Sequence, residues 1–412
     1  MKPDEEGFLY PAVDEENCID CRICSQTCPV LNPPEVAKSE EPYAMISKDE
    51  SARLSSSSGG IMSLLAQEIL NNNGTVYGAA YDEEYRVIHK RIDHIEDLDQ
   101  LRRAKYAQSD LHGIFRQVRE DLKNGPVLFV GSPCQCAGLH AYIFRRPDSV
   151  KQNNGVQKTV PAKSQTESDK SPANCSGEKT QLNGVVQGNL KIQKTEDDKL
   201  KNRLFGNQLI LVDFVCHSIP SPAVWESYVK WKSGKGKPES INQRSKKTGW
   251  SSYSYSIEFN YQNETTDLIS NGKDIYMKLF IGDYITRHSC AGCHFKGSQR
   301  SSDLTLGDFW GIWDLDPSMD DNKGTSLVVA HTEIGEEILR RISSKVRSKK
   351  VGMNDATSQN PAYIRSCEIP EERNKILRRA LDGDFELLEK EMIKPEGKPG
   401  ILKRILARLN RI

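Results

Sequence analysis

Four cysteines near the N-terminus have a spacing that can hold an iron–sulfur cluster. Cys18, Cys21, Cys24 and Cys28 follow the pattern C-x2-C-x2-C-x3-C, and Pro29 comes directly after the last of them. Thiolates placed on one tight loop can each bind a different iron of a 4Fe–4S cluster, which requires this close spacing. A zinc site is the alternative, but zinc sites pair two C-x-x-C units across a longer loop. The run therefore predicts a 4Fe–4S cluster.

The fourth ligand of this cluster is left open by the sequence. In ferredoxins with two clusters, the fourth cysteine of such a run binds the other cluster, and only one run is present here. The preceding stretch, residues 7–18, is typical of the hairpin that follows a first run. We therefore predict a partial ferredoxin-like segment, residues 1–35, shortened by a lost N-terminus or a deletion. Either Cys28 or a remote residue then supplies the fourth ligand.

A second group of cysteines is spread along the chain. Cys134 and Cys216 each follow a short apolar run that is typical of a buried strand. If these two strands are neighbours in an α/β sheet, their carboxyl ends bring the two thiols to one edge. A C-x-x-C pair, Cys290 and Cys293, would then complete a four-thiolate site. The alternative is a set of separate buried thiols, because free cysteine is often part of a core.

The elements that must position these cysteines follow from the apolar pattern, which predicts an α/β core with an antiparallel portion. Residues 43–145 and 206–345 form one predicted domain. Residues 146–205 are almost all polar and lack the apolar area that offsets ordering entropy, so we predict a disordered insertion. The predicted helix is Ile61–Leu70, and the predicted strands are Thr75–Tyr81, Val87–Ile92, Val127–Val130, Leu209–Val215, Tyr253–Tyr261, Thr265–Ser270 and 303–307.

The remaining residues, 346–412, are predicted to be helical and polar. The last segment, Ile401–Ile412, has its apolar side chains on one helical face and its basic side chains largely opposite. A helix of this length is marginal by itself and needs a surface to pack on. We therefore expect it to dock on a partner or on its own domain.

Composition restricts the class of protein and its compartment. The 412 residues contain 57 Lys and Arg and 57 Asp and Glu, so a formal net charge of zero gives no reason to expect nucleic acid as a partner. No apolar run approaches the ~20 residues that span a bilayer, and the acidic N-terminus lacks a signal core. We therefore expect a cytoplasmic protein, where 11 cysteines favour metal binding over disulfides. Cys136, Cys175 and Cys367 have no evident partner.

Six motifs in order along the chain resemble the beta subunits of coenzyme F420-reducing hydrogenases and dehydrogenases. This resemblance implies FAD beside 4Fe–4S clusters, and electron transfer between a ferredoxin-type centre and a two-electron acceptor. It also implies that Cys134, Cys216, Cys290 and Cys293 share a cluster. Many bacterial members have acceptors other than the deazaflavin coenzyme, so the substrate stays open. The motifs are Ser56–Gly60, Lys105–Ser109, Gly131–Gln135, Asp213–His217, Cys290–Cys293 and 303–311.

A flavin site is predicted where small residues precede a helix. In Ser55–Gly60, backbone N–H groups can approach a phosphate at a helix N-terminus, although an ordinary serine cap is the alternative. Trp310 can stack on a ring or belong to the core. His217 can donate a proton or support Cys216. The candidate cofactor residues are Ser57, Ser58, Gly59, Gly60, Lys105, Gln108, Ser109, Asp308 and Trp310.

Three functions are consistent with these features. The first is a flavin- and 4Fe–4S-dependent oxidoreductase that passes electrons between a ferredoxin-type carrier and a two-electron acceptor, in which the flavin connects one-electron and two-electron chemistry. The second is a non-enzymatic iron–sulfur electron-transfer subunit of a larger complex. The third is a zinc-stabilised interaction protein. The cofactor content of the purified protein distinguishes the three.

Overall fold

The architecture is that of a computed structural model, which describes residues 1–33, 39–144 and 208–393. The predicted insertion, residues 146–205, and the predicted helix Ile401–Ile412 lie outside the described residues, as does Cys175. No helix within the described part of the chain is both long and apolar enough to cross a membrane.

The strands and helices of the described residues are numbered in chain order. The strands are β1 (Lys2–Pro3), β2 (Leu9–Tyr10), β3 (Glu41–Ser47), β4 (Thr75–Tyr81), β5 (Val87–Ile92), β6 (Val127–Val130), β7 (Leu209–Phe214), β8 (Pro238–Ser245), β9 (Ser256–Tyr261), β10 (Thr266–Ser270), β11 (Leu304–Asp308), β12 (Ser326–Ala330) and β13 (Val346–Lys350). The helices are α1 (Ile23–Gln26), α2 (Glu50–Leu54), α3 (Ile61–Asn71), α4 (Leu98–Leu101), α5 (Ile114–Asp121), α6 (Pro133–Phe144), α7 (Pro222–Lys232), α8 (Ile275–Ile281), α9 (Ile312–Leu315), α10 (Glu333–Arg341), α11 (Met353–Thr357), α12 (Pro361–Ile364), α13 (Arg373–Leu381) and α14 (Phe385–Met392).

One large mixed sheet organises the molecule, with strand order β13-β3-β12-β11-β7-β6-β4-β5. Its centre is parallel, because β11, β7, β6 and β4 pair in the same direction, and its flanks are antiparallel. A second sheet, β10-β9-β8, is antiparallel throughout, and β1 pairs with β2 as a short hairpin. The predicted α/β core with an antiparallel portion is therefore confirmed, whereas the ferredoxin-like nature of residues 1–35 stays a prediction.

The central strands β6 and β7 are neighbours, as the placement of the cysteines required. They pair in parallel, with Val130 opposite Val212. β6 is apolar throughout and β7 is apolar as far as Val212, because both faces of the sheet are covered. One face packs on α3 and α10, where Leu65 and Ile338 are buried, and the other packs on α5 and α6. Cys134 and Cys216 therefore follow adjacent strands at the same carboxyl edge.

The C-terminal region differs from the prediction at its start. Residues 346–412 were expected to be helical, but the region opens with β13, which pairs with β3 at the edge of the large sheet. Val346 is buried there, whereas Arg347 and Ser348 are exposed. The strand is short and mostly polar because it lies at an edge with one face towards solvent, so periodicity could not reveal it.

Candidate functional site

A cavity of about 1420 Å³ opens at the carboxyl edge of the parallel strands. Open α/β sheets bind ligands at this position. The cavity is lined by every predicted cofactor residue except Gly59, and Cys24, Cys28, Cys134 and Cys216 also line it. The fold therefore collects most of the predicted site residues, which are far apart in sequence, around one space.

The interior thiols are brought together by paired loops. Cys134 lies in the first turn of α6, and Cys216 follows β7. The loop after Cys216 pairs with the loop before Cys290, where the N–H of Arg287 donates to the carbonyl of Ile219 at 2.9 Å. The ammonium of Lys296 donates to the carbonyl of Cys216, which draws the loop that follows the C-x-x-C pair to the same place. The cysteines of all three segments therefore lie close enough to influence one another electrostatically.

Burial and mutual repulsion disfavour free thiolates at this site. Burial raises the pKa of Cys216 well above its ordinary value, and the nearby Cys134, Cys290 and Cys293 raise it further. Burial likewise raises the pKa of Cys290 to about 11. Arg287 acts in the opposite direction on the pKa values of Cys134 and Cys290. Four thiolates in this position need positive charge from a bound group, which iron supplies.

Several sulfurs already have hydrogen-bond partners. The hydroxyl of Ser132 lies 3.2 Å from the Cys134 sulfur, and the N–H of Phe295 donates to the Cys293 sulfur at 3.5 Å. Hydrogen bonds to the sulfurs are among the features that tune iron–sulfur clusters. Within residues 1–33, 39–144 and 208–393, no three His, Cys, Asp or Glu side chains are placed to hold a single metal ion. A four-iron cluster spaces its ligands more widely, because each thiolate binds a different iron.

The N-terminal cysteines lie nearer the surface. Cys18 and Cys24 are exposed, and Cys21 and Cys28 are partly buried. Helix α1 carries Cys24, and the left-handed conformation of Arg22 (φ 59°) turns the chain into that helix. Cys24 and Cys28 line the same cavity as Cys134 and Cys216. The structure therefore places part of this run against the cavity and leaves the rest at the surface.

The N-terminal hairpin is held firmly on the body of the protein. Glu6 forms a bidentate ion pair with Arg373 of α13, whose side chain is fully buried, with N–O distances of 2.7 and 2.6 Å. Phe8 is fully buried. The guanidinium of Arg287 lies 3.9 Å from the ring centroid of Tyr10, where a cation is attracted to the aromatic face. The hairpin is thus part of the cavity wall.

The serines of the Ser55–Gly60 loop are occupied by protein partners. The Ser56 hydroxyl donates to the carbonyl of Ala52, the Ser57 hydroxyl accepts from the N–H of Ala104, and the Ser58 hydroxyl donates to the carbonyl of Thr325. The loop is therefore pinned by its side chains. The O–H groups of Ser56 and Ser58 donate within the protein, whereas Ser57 only accepts there, so its own O–H stays available to a ligand of the cavity that it lines.

The two glycines of this loop have different roles. Gly59 donates its N–H to Ser326, and a Cβ there would lie 2.4 Å from the carbonyl oxygen of Met45, so the glycine permits close packing of loop and sheet. Gly60 adopts φ 88° and begins α3 without a side-chain cap. The first N–H groups of any helix lack intrahelical acceptors. Because Gly60, Ile61 and Met62 line the cavity, this helix start offers an anion site there.

The motif Lys105–Ser109 was expected to contact a cofactor, but its polar side chains bond to other parts of the protein. Lys105 donates to the carbonyls of Gln100 and Arg102, and burial lowers its pKa to about 7. Gln108 hydrogen-bonds the N-terminal hairpin. Ser109 lies between His89 and Gln135, at 2.9 and 2.8 Å. Lys105, Gln108 and Ser109 line the cavity but are already engaged in holding its walls.

Another part of the cavity wall consists of aromatic rings around a cation, Arg244, which the sequence did not reveal. Trp310 stacks on Trp250 with ring centroids 4.9 Å apart. Arg244 of β8 lies over the Tyr255 ring at 3.8 Å and forms an ion pair with Asp308 at 2.6 Å. Arg244 belongs to a polar run that is typical of a solvated segment. It is buried because the second sheet packs it against the cavity.

His217 also faces the cavity. Its Nε2 lies 3.0 Å from a carboxylate oxygen of Asp283, and its ring meets Phe280 edge-on with centroids 5.4 Å apart. The 3.0 Å contact lacks the geometry of a hydrogen bond, and 38% of the His217 side chain is exposed. Both roles expected for His217, proton donor and support for Cys216, remain compatible with this position.

Comparisons with known proteins agree with the motifs. Residues 185–355 match the model of a family described as the C terminus of the beta subunit of coenzyme F420 hydrogenase/dehydrogenase. A search of curated proteins finds no significant match. Among solved structures, a chain of the F420-reducing NiFe hydrogenase complex from Methanosarcina barkeri, studied by xenon derivatization, is 12% identical. The likeness covers 87% of this chain and 94% of that chain, with a TM-score of 0.45. The match over residues 185–355 confirms the resemblance found in the sequence, namely that this chain is similar to the beta subunits of coenzyme F420 hydrogenase/dehydrogenase.

Proposed function

We propose that this protein is a flavin- and 4Fe–4S-dependent oxidoreductase, which passes electrons between a ferredoxin-type carrier and a two-electron acceptor. One observation carries the proposal. Thiols from distant segments and an uncapped helix start face one cavity at the carboxyl edge of the sheet. The match of residues 185–355 to a hydrogenase/dehydrogenase family supports redox chemistry.

Each group of residues has a part in this proposal. Cys134, Cys216, Cys290 and Cys293 would hold a 4Fe–4S cluster, because thiolate ligands bind iron and the four thiols lie close enough to influence one another electrostatically. The N–H groups at the start of α3 would hold a phosphate of FAD. A bound flavin supplies the ability to exchange electrons singly on one side and as a pair on the other.

The remaining residues control the environment of the cofactors. Arg287 and Lys296 place positive charge beside the thiols, which offsets the negative charge of a thiolate-bound cluster. Trp310 lines the cavity and stacks on the buried Trp250, which makes this part of the wall apolar. His217 lines the cavity beside Asp283 and would be the candidate proton donor to a bound acceptor.

The N-terminal run would carry a second cluster that exchanges electrons with an external carrier. Cys18 and Cys24 are exposed, whereas Cys28 faces the cavity. A cluster there is accessible to a carrier protein on one side and lies against the cavity on the other. Electrons would then pass between the carrier, this cluster, the interior cluster and the flavin.

Absorbance of the anaerobically purified protein tests the proposal. We expect flavin bands together with a broad iron–sulfur shoulder, both bleached by a chemical reductant. The shoulder without flavin would instead support a non-enzymatic electron-transfer subunit of a larger complex. A colourless protein that contains zinc would contradict both functions.

A further inference from the structure

Lys246 connects the second sheet to the loop that begins the predicted flavin site. It follows β8, and its ammonium donates to three backbone carbonyls, those of Arg53 at 2.8 Å, Ser58 at 2.6 Å and Lys323 at 2.7 Å. An ammonium has three donors and no acceptor, so this arrangement satisfies it completely. The carbonyls of Arg53 and Ser58 belong to the end of α2 and the loop that follows it, and the carbonyl of Lys323 belongs to the loop before β12, so the lysine connects these two loops.

These two loops are packed too closely for an accidental contact. A Cβ at Gly324 would lie 2.9 Å from the carbonyl carbon and oxygen of Ser58, and Gly324 has φ 102°. Arg53 crosses the same junction, because it donates to the carbonyl of Gly324 at 2.8 Å and pairs with Asp321. The junction therefore requires both a glycine and two cations, which neutralise carbonyl dipoles that would otherwise repel.

The direction of the carbonyls has a consequence for anion binding. A peptide plane fixes its N–H opposite its C=O. Lys246 holds the Ser58 carbonyl on one side of the Ser58–Gly59 peptide, and Ser326 accepts the Gly59 N–H on the other, at 2.9 Å. Hydrogen bonds at both its C=O and its N–H thus hold this peptide, which leads into Gly60, in one orientation. The turn that aims the first N–H groups of α3 at the cavity depends on these hydrogen bonds.

We infer that Lys246 is a positioning residue for the anion site at the start of α3, and that it sets the affinity for FAD without touching the cofactor. This inference rests on the proposed function. Lys246 itself does not line the cavity, whereas Ser58 and Gly60 do. It acts by holding the loop in the one conformation that presents backbone N–H groups to a phosphate.

The neighbouring lysine provides a matched control. Lys247 is exposed and pairs with the buried carboxylate of Glu258 in the second sheet, and it makes no bond to the loop junction. Lys247→Met removes the same charge from the adjacent position. Only Lys246→Met removes the three bonds to the loop carbonyls.

The test measures FAD binding to flavin-free protein by fluorescence titration. We expect Lys246→Met to weaken the affinity by at least about tenfold, as expected for losing several hydrogen bonds that preorganise a site. Lys247→Met should bind as the wild type does. Hydrogen exchange of residues 53–60 in flavin-free protein should rise in Lys246→Met alone.

A pH profile separates this role from a general effect on stability. Burial lowers the pKa of Lys246 to about 7, with Arg53 and Arg244 acting in the same direction and Asp308 and Asp321 against it. Above that pH the neutral amine has only two N–H donors for three carbonyls. Wild-type affinity for FAD should therefore fall as the pH rises through 7, and Lys246→Met should lack this fall.

The outcomes distinguish the inference from the proposed function. Equal FAD affinity in wild type and Lys246→Met, with exchange at residues 53–60 unchanged, would overturn the inference and leave the flavin proposal standing. A wild-type protein that binds no FAD would overturn the flavin proposal, and the inference with it.

Discussion

The side chain of Gln108 makes two hydrogen bonds to the backbone of Leu9, accepting from its N–H at 2.8 Å and donating to its carbonyl at 3.0 Å. An amide side chain that pairs with a backbone in this way imitates one rung of a sheet. It replaces the strand neighbour that β2 lacks on that side. The N-terminal hairpin is therefore attached to the cavity wall through the motif that was expected to contact the cofactor.

The ion pair between Glu6 and Arg373 is predicted to hold the same hairpin. Glu6→Ala leaves a fully buried guanidinium without its carboxylate, and removal of one partner of such a pair should lower the free energy of unfolding by about 3 kcal/mol. Protease cleavage near residue 10 should accelerate. Glu386→Ala, which breaks an exposed pair with Lys390, should leave the free energy of unfolding almost unchanged. Equal effects of the two substitutions would contradict this account.

The same pair predicts a dependence on acidity. The Arg373 guanidinium, which hydrogen-bonds the Glu6 carboxylate, lowers the pKa of that carboxyl below its ordinary value of 4.5. A depressed carboxyl pKa stabilises the folded state above pH 4.5, and the stabilisation is lost as the pH falls through the lowered value. Urea unfolding at a series of pH values should show this loss in wild type and not in Glu6→Ala.

His89 should give a second acid-sensitive contribution, centred at higher pH. Its Nε2 lies 3.1 Å from the carbonyl of Val130, which can only accept, so Nε2 carries the proton and the Ser109 hydroxyl donates to Nδ1. Burial lowers the pKa of His89 to about 4, from an ordinary 6.5. Between these pH values His89 is protonated in the unfolded chain and neutral in the folded chain. The free energy of unfolding should therefore fall by about 3 kcal/mol as the pH falls from 6.5 to 4.

His89→Gln provides the comparison for this effect. Glutamine does not titrate, so the variant should be less stable at neutral pH but should lose less stability between pH 6.5 and 4. The measurement is the free energy of unfolding at each pH. If the wild type and His89→Gln lose the same amount over this interval, His89 is not a buried neutral imidazole.

The interior cysteines are predicted to act as one unit. A serine at Cys134, Cys216, Cys290 or Cys293 should lower the iron content by about one cluster per chain, because a four-thiolate site lost from the folded core is not rebuilt elsewhere. Iron and acid-labile sulfide per chain are the measurements. Unchanged iron in all four variants would show that this site holds no cluster.

Cys136 is the matched control for these substitutions. It lies two residues from Cys134 on α6, but its thiol is buried in the core between α6 and the sheet, 3.6 Å from the carbonyl of Val212. Cys136→Ser should keep the full iron content. Cys367 is a poorer control than the sequence indicated, because its thiol interacts electrostatically with Cys290. Loss of iron in Cys136→Ser but not in Cys134→Ser would mean that the other thiol of this turn is the ligand.

Much of the fold could be predicted from periodicity, and the reason is physical. The strands Thr75–Tyr81, Val87–Ile92 and Val127–Val130 were predicted with the bounds that the structure gives, because each is an apolar or alternating run between turn residues. The sequence did not predict that β6 pairs with β7. It indicated only that a shared cysteine site requires them to be neighbours, and the structure pairs them in parallel. The strand at residues 346–350 was not predicted, because an exposed edge strand carries no apolar pattern.

The sequence predicted which residues belong to the candidate site better than it predicted what each residue does there. Spacing identified Cys134 and Cys216, but no local pattern could show that Ser58 is bonded to Thr325 or that Gln108 is bonded to Leu9, since those partners are distant in sequence. Lys246 left no signal at all. A lysine after a polar strand is usually solvated, and only the packing of the second sheet turns it towards three carbonyls.

We propose that a flavin and the interior cluster occupy one cavity, and electron paramagnetic resonance can measure whether their unpaired spins interact. The wild-type protein is reduced until the flavin semiquinone and the reduced cluster coexist. Two unpaired spins within one cavity should couple, so the semiquinone signal should relax fast and broaden, and in Cys216→Ser it should return to slow relaxation. A slowly relaxing semiquinone in wild-type protein, with the interior cluster reduced, would contradict the account.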